Sequence, residues 1–485
     1  MNNKTVFNNF FWRLMERFGA QGVSFIVSII LARLLDPAVY GTIALVTIFT
    51  TIMQVFVDSG LGTALIQKKG ADDTDFSTVF YFNLGMCAVL YGIMFAAAPL
   101  IALFYDIPEL TPIVRVLSLT LVISGVKSIQ QSYISKNMLF KRFFFSTIGA
   151  TLVSAVVGIY MAYRGYGVWA LVGQYLSSNL VGTVILWLTV KWRPKLLFSF
   201  ERLKGLFSYG WKLLVSGLLN TVYNDIRQLV IGKLYTSADL AYYNKGHQFP
   251  QLIVNNVNSS IDSILLPVMS QAQNDPARVK AMTRRAIKTS TYIMVPMMVG
   301  LAVCAEPFIR LLLTEKWMPA VFFLRIFCFT MAFYPIHTAN LNAIKAMGRS
   351  DMFLKLEVIK KVIGIGTLIA TMWISVEAMA YSLLVTTLLS SFINAFPNKR
   401  LLNYSYFEQI MDMLPTLLLS AVMGAVVFCV TLLPIGDFLT LVIQATLGVL
   451  IYVVGSALFK LESFTYLLNT LKGYLKKKKP TAANK

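Results

Sequence analysis

The feature that most constrains this chain is a series of long apolar runs that fill most of its 485 residues. "CAVLYGIMFAAAPLIALF" and "LVIQATLGVLIYVVGSALF" are two of them. Such runs form helices that cross about 30 Å of hydrocarbon, where every backbone polar group must be bonded internally. Charged residues make up only 13% of the chain, about half of their share in a soluble domain. The sequence therefore predicts an all-α integral membrane protein.

The apolar runs divide into about fourteen predicted transmembrane helices. Their approximate limits are residues 10–33, 39–63, 76–105, 110–132, 142–163, 167–190, 207–232, 238–268, 286–312, 318–345, 354–374, 378–396, 411–433 and 437–459. Loops rich in Lys and Arg alternate with short loops that carry few of them, and the basic loops are expected in the cytoplasm. The alternation predicts an even number of spans, with both termini cytoplasmic.

The net charge of +21 follows from these loops and from the tail, "LKGYLKKKKPTAANK". No motif for RNA or DNA binding accompanies the charge, so we predict no nucleic-acid partner. The lysine-rich tail is predicted to orient the chain and to contact anionic membrane lipid. A tail that binds a protein partner is the alternative.

Two pairs of segments suggest an internal repeat. "ARLLDPAVYG" (Ala32 to Gly41) resembles "GKLYTSADLA" (Gly232 to Ala241), with a proline-started helix in one and a Thr236–Asp239 capping box in the other. "PIVRVLSLTL" and "FFLRIFCFTM" follow at an offset of 210 residues, each with one arginine, Arg115 or Arg325. Helices 1–6 and 7–12 therefore resemble the halves of a parallel-repeat transporter.

The repeat predicts the domain organisation. Residues 1–190 form an N-lobe, residues 191–206 a cytoplasmic linker with a short interfacial helix, and residues 207–400 a C-lobe. Residues 401–460 supply helices 13 and 14, and residues 461–485 form a basic cytoplasmic tail.

Polar side chains recur along one face of several predicted helices. In the eighth helix six of them are spaced 4, 3, 4, 3 and 4 residues apart and so share a face: Asn244, Gln248, Gln251, Asn255, Asn258 and Asp262. Other helices contribute Arg13, Arg17, Gln54, Asp58, Lys127, Asn220, Asn224, Asp225, Arg227, His337 and Asn340. Polar groups that face lipid are costly, so these faces are expected to turn towards each other or towards water.

Two interpretations of these faces remain open. The amides could join neighbouring helices, or the faces could line a hydrated cavity. A cavity of this composition would bind sugar hydroxyls through its amides and phosphate through its cations: Arg13, Arg17, Lys127, Arg227, Lys245 and His247. For Arg13 and Arg17, near one end of a helix, snorkelling to the interface is the alternative. In the eighth helix, Gly246 and Pro250 are expected to interrupt the helix and allow a bend.

No catalytic residue, metal site or cofactor is predicted. No phosphate-binding loop of the form GxxxxGK[ST] is present in the sequence. The energy source would therefore be a gradient of H⁺ or Na⁺, or downstream consumption of the product. For ion coupling, the candidate carboxylates inside the membrane are Asp58, Asp225 and Asp262.

Ordered segments of the chain resemble the polysaccharide flippases of the multidrug/oligosaccharidyl-lipid/polysaccharide exporter superfamily. They are "FWRLMERFGAQGVSFIVSIILARLLDPAVYG", "LIQKKGADDTDFSTVFYFNLG", "LFYDIPELTPIVRVLSLTLVISGVKSIQQSYISKNMLFKR" and "LLLTEKWMPAVFFLRIFCFTM". The resemblance runs over about residues 8–455. It implies fourteen helices, in two six-helix lobes around a central cavity plus two C-terminal helices.

The resemblance also implies a function. Flippases of this type move oligosaccharide units linked to undecaprenyl diphosphate across the bacterial inner membrane, by alternating access, for O-antigen, capsule or exopolysaccharide assembly. A polysaccharide polymerase is then a candidate partner. The alternatives are a multidrug/cation antiporter of the same superfamily, a flippase for the lipid-linked peptidoglycan precursor, and a membrane-embedded polymerase or ligase. The outer loops are too short for the last of these.

Overall fold

The structure, a computed structural model, describes residues 3–58 and 60–477. Among these residues there are helices and short connections but no strand. The prediction of an all-α fold is confirmed. Apolar sequences of this length satisfy their backbone hydrogen bonds within each helix, which lipid requires.

The described chain divides into two compact units, the first ending at Ala241 and the second beginning at Tyr242. The first contains α1 (Asn3–Leu34), α2 (Pro37–Asp58), α3 (Leu61–Gln67), α4 (Asp73–Tyr105), α5 (Leu110–Leu117), α6 (Leu119–Lys136), α7 (Phe140–Tyr163), α8 (Val168–Thr189) and α9 (Phe200–Leu234). Helix α10 (Ser237–Ser270) begins in the first unit and continues in the second. The second also contains α11 (Pro276–Val303), α12 (Ala305–Leu313), α13 (Ala320–Ala332), α14 (Tyr334–Ala346), α15 (Ser350–Thr371), α16 (Val376–Leu402), α17 (Tyr406–Cys429), α18 (Asp437–Leu458) and α19 (Glu462–Lys477).

Ten helical segments within the described residues are long and apolar enough to cross a membrane. They are α2 with α3, α4, α5 with α6, α7, α8, α11, α13 with α14, α16, α17 and α18. Many large apolar side chains on them are exposed, including Leu103 (73%), Leu188 (78%) and Val449 (66%). Apolar surface on this scale requires an apolar solvent. The chain is therefore a multi-pass membrane protein.

Each of the fourteen predicted segments overlaps one described helix or two consecutive ones. The four outside the set of ten are α1, α9, α10 and α15, which carry more polar residues; in α1 the apolar part is Gly19–Leu34. Ten candidate spans are therefore supported, and the total of fourteen stays a prediction.

The predicted start signals are confirmed at two helices. Helix α2 begins at Pro37, as expected for a proline at the first helical position. Before α10, the Thr236 N–H donates to Asp239 Oδ2 (3.1 Å) and the Asp239 N–H donates to Thr236 Oγ1 (3.1 Å). This reciprocal pair is a capping box.

Two local predictions were wrong. Helix α10 runs through Gly246 and Pro250 without interruption. A Cβ atom at Gly246 would lie 2.5 Å from Phe323 Cβ and 2.7 Å from the Leu324 nitrogen, so the glycine permits a close approach to α13. The linker has no separate interfacial helix, because residues 191–199 are not helical and residues 200–206 are the first turns of α9.

The first unit includes α9, which the sequence placed in the second lobe. Helix α9 packs against α2 through glycines: a Cβ atom at Gly217 would lie 3.0 Å from Val55 Cγ1, and one at Gly232 would lie 2.1 Å from Leu45 Cδ2. Contacts in one conformation do not define which parts move together, so the lobe boundary at residues 191–206 stays a prediction.

The helix order repeats at an offset of 200–210 residues. Helices α1 and α9 end at Leu34 and Leu234, and α7 and α15 begin at Phe140 and Ser350. Arg115 Nε donates to the Phe95 carbonyl (3.3 Å), and Arg325 Nε donates to the Ala302 carbonyl (3.2 Å). The two arginines are 210 residues apart and each bonds to the backbone of an earlier helix in its own unit. The structure thus shows a residue-level counterpart of the sequence repeat.

Candidate functional site

The polar face of α9 lies in the first unit. Asn220 and Asn224 are exposed, and Arg227 is 8% exposed. Asp225 accepts a hydrogen bond from Gln228 Nε2 (3.1 Å) on the next turn. This face of α9 therefore has two exposed amide side chains, a buried guanidinium and a half-buried carboxylate.

The C-terminal end of α2 carries a second polar pair in this unit. Gln54 Nε2 donates to Asp58 Oδ1 at 3.2 Å, and Asp58 is exposed. The two residues are four apart, so the bond runs along the helix surface and joins no neighbouring helix.

Lys127 lies among α6, α7 and α8. A Cβ atom at Gly182 would be 3.5 Å from Lys127 Nζ and 3.6 Å from Ser146 Oγ. Ser146 Oγ donates to the Gly182 carbonyl at 2.8 Å. Because Gly182 has no side chain, there is room beside it for the Lys127 ammonium. Lys127 is half-buried within the first unit.

The first turns of α10 in the second unit are packed rather than open. Lys245 is 5% exposed; its Nζ donates to Gln248 Oε1 (3.1 Å) and lies 5.7 Å from the centre of the Trp317 ring. The His247 ring meets Phe327 edge to face, with 4.7 Å between ring centres. In this conformation the environment of both side chains is largely aromatic.

Further along α10 the polar face becomes more accessible. Gln251 Nε2 donates to Asn255 Oδ1 at 2.7 Å along the helix, and Asn255 is exposed. Asn258 instead reaches another helix: its Nδ2 donates to Thr338 Oγ1 (2.8 Å). The polar face of α10 therefore has an exposed part, at Asn255, and a part that bonds to another helix, at Asn258.

Two α14 side chains that the sequence nominated form contacts between helices. His337 Nδ1 lies 2.9 Å from Asn394 Nδ2. Asn340 is fully buried; its Nδ2 donates to Gln409 Oε1 (2.7 Å), and its Oδ1 accepts from Asn398 Nδ2 (2.6 Å). For Asn340, the interhelical interpretation describes this conformation better than the cavity interpretation.

Three predicted residues have side chains outside the described part of the structure. They are Arg13, Arg17 and Asp262. Their assignment to the site stays a prediction.

Sequence reasoning missed a charged pair on α15. Lys360 Nζ and Glu357 Oε1 are 2.5 Å apart, with side chains 15% and 30% exposed. Lys360 also lies near enough to His337 to act on it electrostatically. The signal was present in the sequence, because Glu357 and Lys360 stand three residues apart inside a predicted span.

The internal repeat relates the surroundings of Lys127 in the first unit to those of His337 and Lys360 in the second. His337 is the counterpart of Lys127 at the offset of 210 residues, and Lys360 is the counterpart of Ala150. Ala150 lies beside Lys127, because both approach the same point at Gly182. The ammonium group is supplied by Lys127 of α6 in the first unit and by Lys360 of α15 in the second. The two groups therefore lie near positions that the repeat makes equivalent.

Several charged residues lie close together at the start of α4 in the first unit. Asp75 is 1% exposed and forms ion pairs with Lys68 (2.7 Å) and Arg202 (3.3 Å). Asp72 caps α4 and binds Arg202 as well. The hydrogen bond from Arg202 and the Asp75 N–H lower the pKa of Asp72 to about 2. Both carboxylates at this end of the unit are therefore paired with basic side chains.

These features define a class. Outward apolar surface, a helical repeat, and amides and charges on a few helix faces are typical of a membrane transporter. A sequence profile described as "Polysaccharide biosynthesis protein" matches residues 30–322, which is more than half of the chain. The chain belongs to this polysaccharide biosynthesis protein family. The resemblance that the sequence segments suggested is confirmed at the level of this family.

Similar proteins come from several bacteria. The chain is 25% identical over 317 residues to the succinoglycan biosynthesis transport protein ExoT of Rhizobium meliloti (strain 1021), across 65% of this chain and 64% of that protein. It is 25% identical over 400 residues to the teichuronic acid biosynthesis protein TuaB of Bacillus subtilis (strain 168), across 79% and 80%. It is 22% identical over 426 residues to the lipopolysaccharide biosynthesis protein WzxC of Escherichia coli (strain K12), across 84% and 85%. The chain spans just under two thirds of the first relative.

Solved structures show the same fold. The inward closed conformation of the lipid II flippase MurJ matches with a TM-score of 0.75 and 17% identity, across 92% of this chain and 98% of that one. An inward-facing multidrug resistance MATE family transporter of the MOP superfamily matches with a TM-score of 0.62 and 14% identity, across 82% and 95%. At these identities the likeness establishes the fold and leaves the substrate open.

Proposed function

We propose that the chain is a flippase for oligosaccharide units linked to undecaprenyl diphosphate. It would move the sugar and diphosphate across the bacterial cytoplasmic membrane by alternating access and supply a polysaccharide polymerase. Membership of the polysaccharide biosynthesis family supports this proposal, as do relatives whose names refer to succinoglycan transport, teichuronic acid and lipopolysaccharide.

The observation that carries the proposal is the contrast between two kinds of intramembrane amide. Asn340 is fully buried and bonds to other helices, whereas Asn220, Asn224 and Asn255 are exposed on helix faces. Amides that only joined helices would be buried like Asn340. Exposed amides on a membrane helix need water or a polar ligand. A path for a hydrated sugar supplies both.

The chemistry of these faces suits the substrate. Crossing hydrocarbon unaided would strip water from each hydroxyl and phosphate, at several kcal/mol per group. Amides replace water at hydroxyl groups, and cations such as Arg227 and Lys127 would offset the charge of the diphosphate. The polyprenyl chain is apolar and would stay in lipid. The predicted central cavity remains the expected location of this path.

We further propose that α1, α9, α10 and α15 also cross the membrane, which gives fourteen spans with both termini cytoplasmic. Their polar residues lie on limited faces, and the loops of predicted opposite sides alternate in charge. Single cysteines at Gly70, Asn137 and Gln273 should be modified from the cytoplasm, and those at Glu109, Thr236 and Gly436 from outside. Two consecutive loops modified from the same side would contradict the count.

An ion gradient is the proposed energy source. Asp58 and Asp225 are the described carboxylates on the polar faces, and Asp262 is the third candidate. Transport that depends on a pH or Na⁺ gradient in the wild type, but not in the Asn variant of one of these residues, would identify the coupling site.

The sequence leaves three alternative functions to compare with this proposal. A polymerase or ligase would need an outer domain, but the connections between α-helices on the predicted outer side run from two residues at 35–36 to seven at 430–436. A cation antiporter shares the fold, and it would favour a site dominated by carboxylates. A flippase for the peptidoglycan precursor shares both the fold and the diphosphate, so it differs only in the sugar that it accepts.

The experiment is a transport assay in proteoliposomes. An undecaprenyl-diphosphate oligosaccharide is placed in the liposomes, and its transfer is followed by the access of an external glycosidase. We expect transfer by the wild type, a decrease of about tenfold for Arg227→Ala because one charge-assisted contact is lost, and partial recovery for Arg227→Lys. Lys204→Ala removes an exposed charge from the start of α9 and should transport normally.

Two results would contradict the proposal. The first is a wild type that exports cationic dyes but transfers no lipid-linked sugar. The second is full transfer by both Arg227→Ala and Lys245→Ala, which would remove the role of these cations. Equal transfer of the lipid-linked peptidoglycan precursor would favour the third alternative, a flippase for that precursor.

A further inference from the structure

A basic groove lies in the second unit, where α11 meets α19 and the turn before it. Its volume is about 420 Å³. Three cations line it, Arg285 and Lys288 from α11 and Lys460 from the turn between α18 and α19. Thr289, Ser463 and Asn469 add hydroxyl and amide groups. The groove therefore has the donors of an anion-binding site.

The nearby carboxylates neutralise only part of this charge. Asp412 binds Arg284 through two hydrogen bonds (2.8 and 2.7 Å), and Lys288 lies 3.3 Å from it. Lys288 also pairs with Glu462 at 2.6 Å. Within the described residues, neither Arg285 nor Lys460 has a carboxylate at ion-pair distance. These two cations remain available to a ligand.

Arg285 is held in place by an aromatic ring. Its guanidinium carbon lies 4.9 Å from the centre of the Tyr466 ring of α19. A guanidinium can contact an aromatic ring and still donate its planar set of N–H groups to the oxygens of a phosphate.

Lys460 occupies a backbone position that does not favour a lysine. Its φ is +49°, and the Leu461 N–H bonds to the Ser456 carbonyl (3.0 Å) in the turn that ends α18. Glycine is the usual residue at such a position, because a Cβ atom there is unfavourable. The geometry of the turn therefore does not by itself favour a lysine at this position.

Exposed apolar residues beside the groove indicate where it lies relative to the membrane. Leu458 and Phe459, directly before Lys460, are each 74% exposed at the end of a span, as residues that face acyl chains would be. Leu461, Phe464 and Leu467 pack against the core cluster that contains Tyr292 and Leu419, which fixes α19 to the unit. The cations thus stand where hydrocarbon gives way to water.

We propose that this groove binds the phosphate of an anionic glycerophospholipid in the leaflet on the C-terminal side, with Arg285 and Lys460 as its ligands. The acyl chains would lie against the exposed surface at Leu458 and Phe459. The predicted topology makes this the cytoplasmic leaflet, where anionic lipids attract basic groups. The site is independent of the transported substrate, so it is tested separately from the proposed function.

The test measures lipid binding to the purified full-length protein by native mass spectrometry, with phosphatidylglycerol and phosphatidylcholine as probes. We expect preferential binding of phosphatidylglycerol, weakened about tenfold by Lys460→Gly and by Arg285→Gln, which corresponds to ~1.4 kcal/mol for each lost contact. Lys460→Gly keeps the turn and should preserve or raise the melting temperature. Lys472→Ala removes an exposed lysine of α19 that does not line the groove, and it should bind normally.

Several outcomes would overturn the proposal. Equal weakening by Lys460→Gly and Lys472→Ala would show a general effect of surface charge. Displacement of the lipid by millimolar inorganic phosphate would show a site for a free anion. Equal binding of both lipids by the wild type would show that the groove does not select charge.

Discussion

Asparagine side chains occupy two different kinds of surroundings in this chain. Asn340 is fully buried and exchanges hydrogen bonds with Asn398 and Gln409. Asn224 is exposed on the polar face of α9. The same type of side chain is thus packed between helices in one place and exposed in the other.

This contrast predicts opposite effects of two matched substitutions. Asn340→Ala leaves the Gln409 amide with fewer partners and should lower the free energy of unfolding by about 1–3 kcal/mol. Asn224→Ala should change it by less than about 0.5 kcal/mol but reduce transport. Thermal unfolding in detergent and the proteoliposome assay measure the two effects. If Asn340→Ala unfolded like the wild type, the buried network would not contribute to stability.

The cap of α4 predicts a pH dependence. The Arg202 hydrogen bond and the Asp75 N–H hold the pKa of Asp72 at about 2, below its usual value of about 4. A lowered carboxylate pKa stabilises the folded state above the unfolded pKa, and this contribution is lost as the pH falls from about 4 to about 2. The wild type should therefore be more stable than Asp72→Asn at pH 7, with a difference that shrinks over this range.

Unfolding of the two proteins at a series of pH values measures the difference. Asp239→Asn, at the cap of α10, serves as a comparison for a capping carboxylate without an arginine partner in the described contacts. A constant difference for Asp72→Asn between pH 7 and pH 2 would contradict the assignment.

At the scale of the element, α10 shows what the pattern of residues predicts and what it does not. The polar spacing predicted one shared face, and the Gln251–Asn255 hydrogen bond follows that face, whereas Asn258 bonds to Thr338 on α14. The expected break at Gly246 and Pro250 did not occur. Glycine is compatible with both a break and a close contact, and only the position of α13 decides between them.

Helix α10 therefore predicts a packing effect. Gly246→Ala places a Cβ atom 2.5 Å from Phe323 Cβ, so α13 must shift, and stability should fall by about 1–3 kcal/mol. Gly366→Ala on α15 is the matched control, because nothing lies within 4 Å of its Cβ position. It should be neutral or stabilising by up to about 1 kcal/mol. Equal melting temperatures for the two variants would refute the close contact.

Most helices could be predicted from the sequence, because apolar length and loop charge mark them. Parts of the site could not be predicted. Lys360 and Glu357 were overlooked because they lie among apolar residues and belong to none of the polar helix faces identified in the sequence. Lys245 and His247 were predicted to line a cavity, but each side chain lies near an aromatic ring from a distant segment, Trp317 or Phe327. Such contacts depend on tertiary packing, which periodicity does not encode.

At the scale of the whole molecule, the repeat is the main organising feature. Arg115 and Arg325 keep a backbone contact in both units, although Arg325 also pairs with Glu306 (2.9 Å). Gln130 and Asn340, 210 residues apart, are both fully buried. The positions that hold a unit together are repeated, whereas the amides of α9 and α10 differ from those of α1 and α2. We infer that the repeat maintains the fold and that its differences adapt the chain to its substrate.

The most direct test of the central claim is the access of water to the polar faces. Single cysteines replace Asn224 and Asn255 in a protein whose four native cysteines have been removed, and a membrane-impermeant thiol reagent is applied from each side. Leu219→Cys and Val362→Cys report positions that are exposed but apolar. We predict labelling at Asn224 and Asn255, reduced by the lipid-linked oligosaccharide, and little labelling at the two apolar positions. If neither asparagine position were labelled from either side, the polar faces would not line a hydrated path, and the proposed transport mechanism would be wrong.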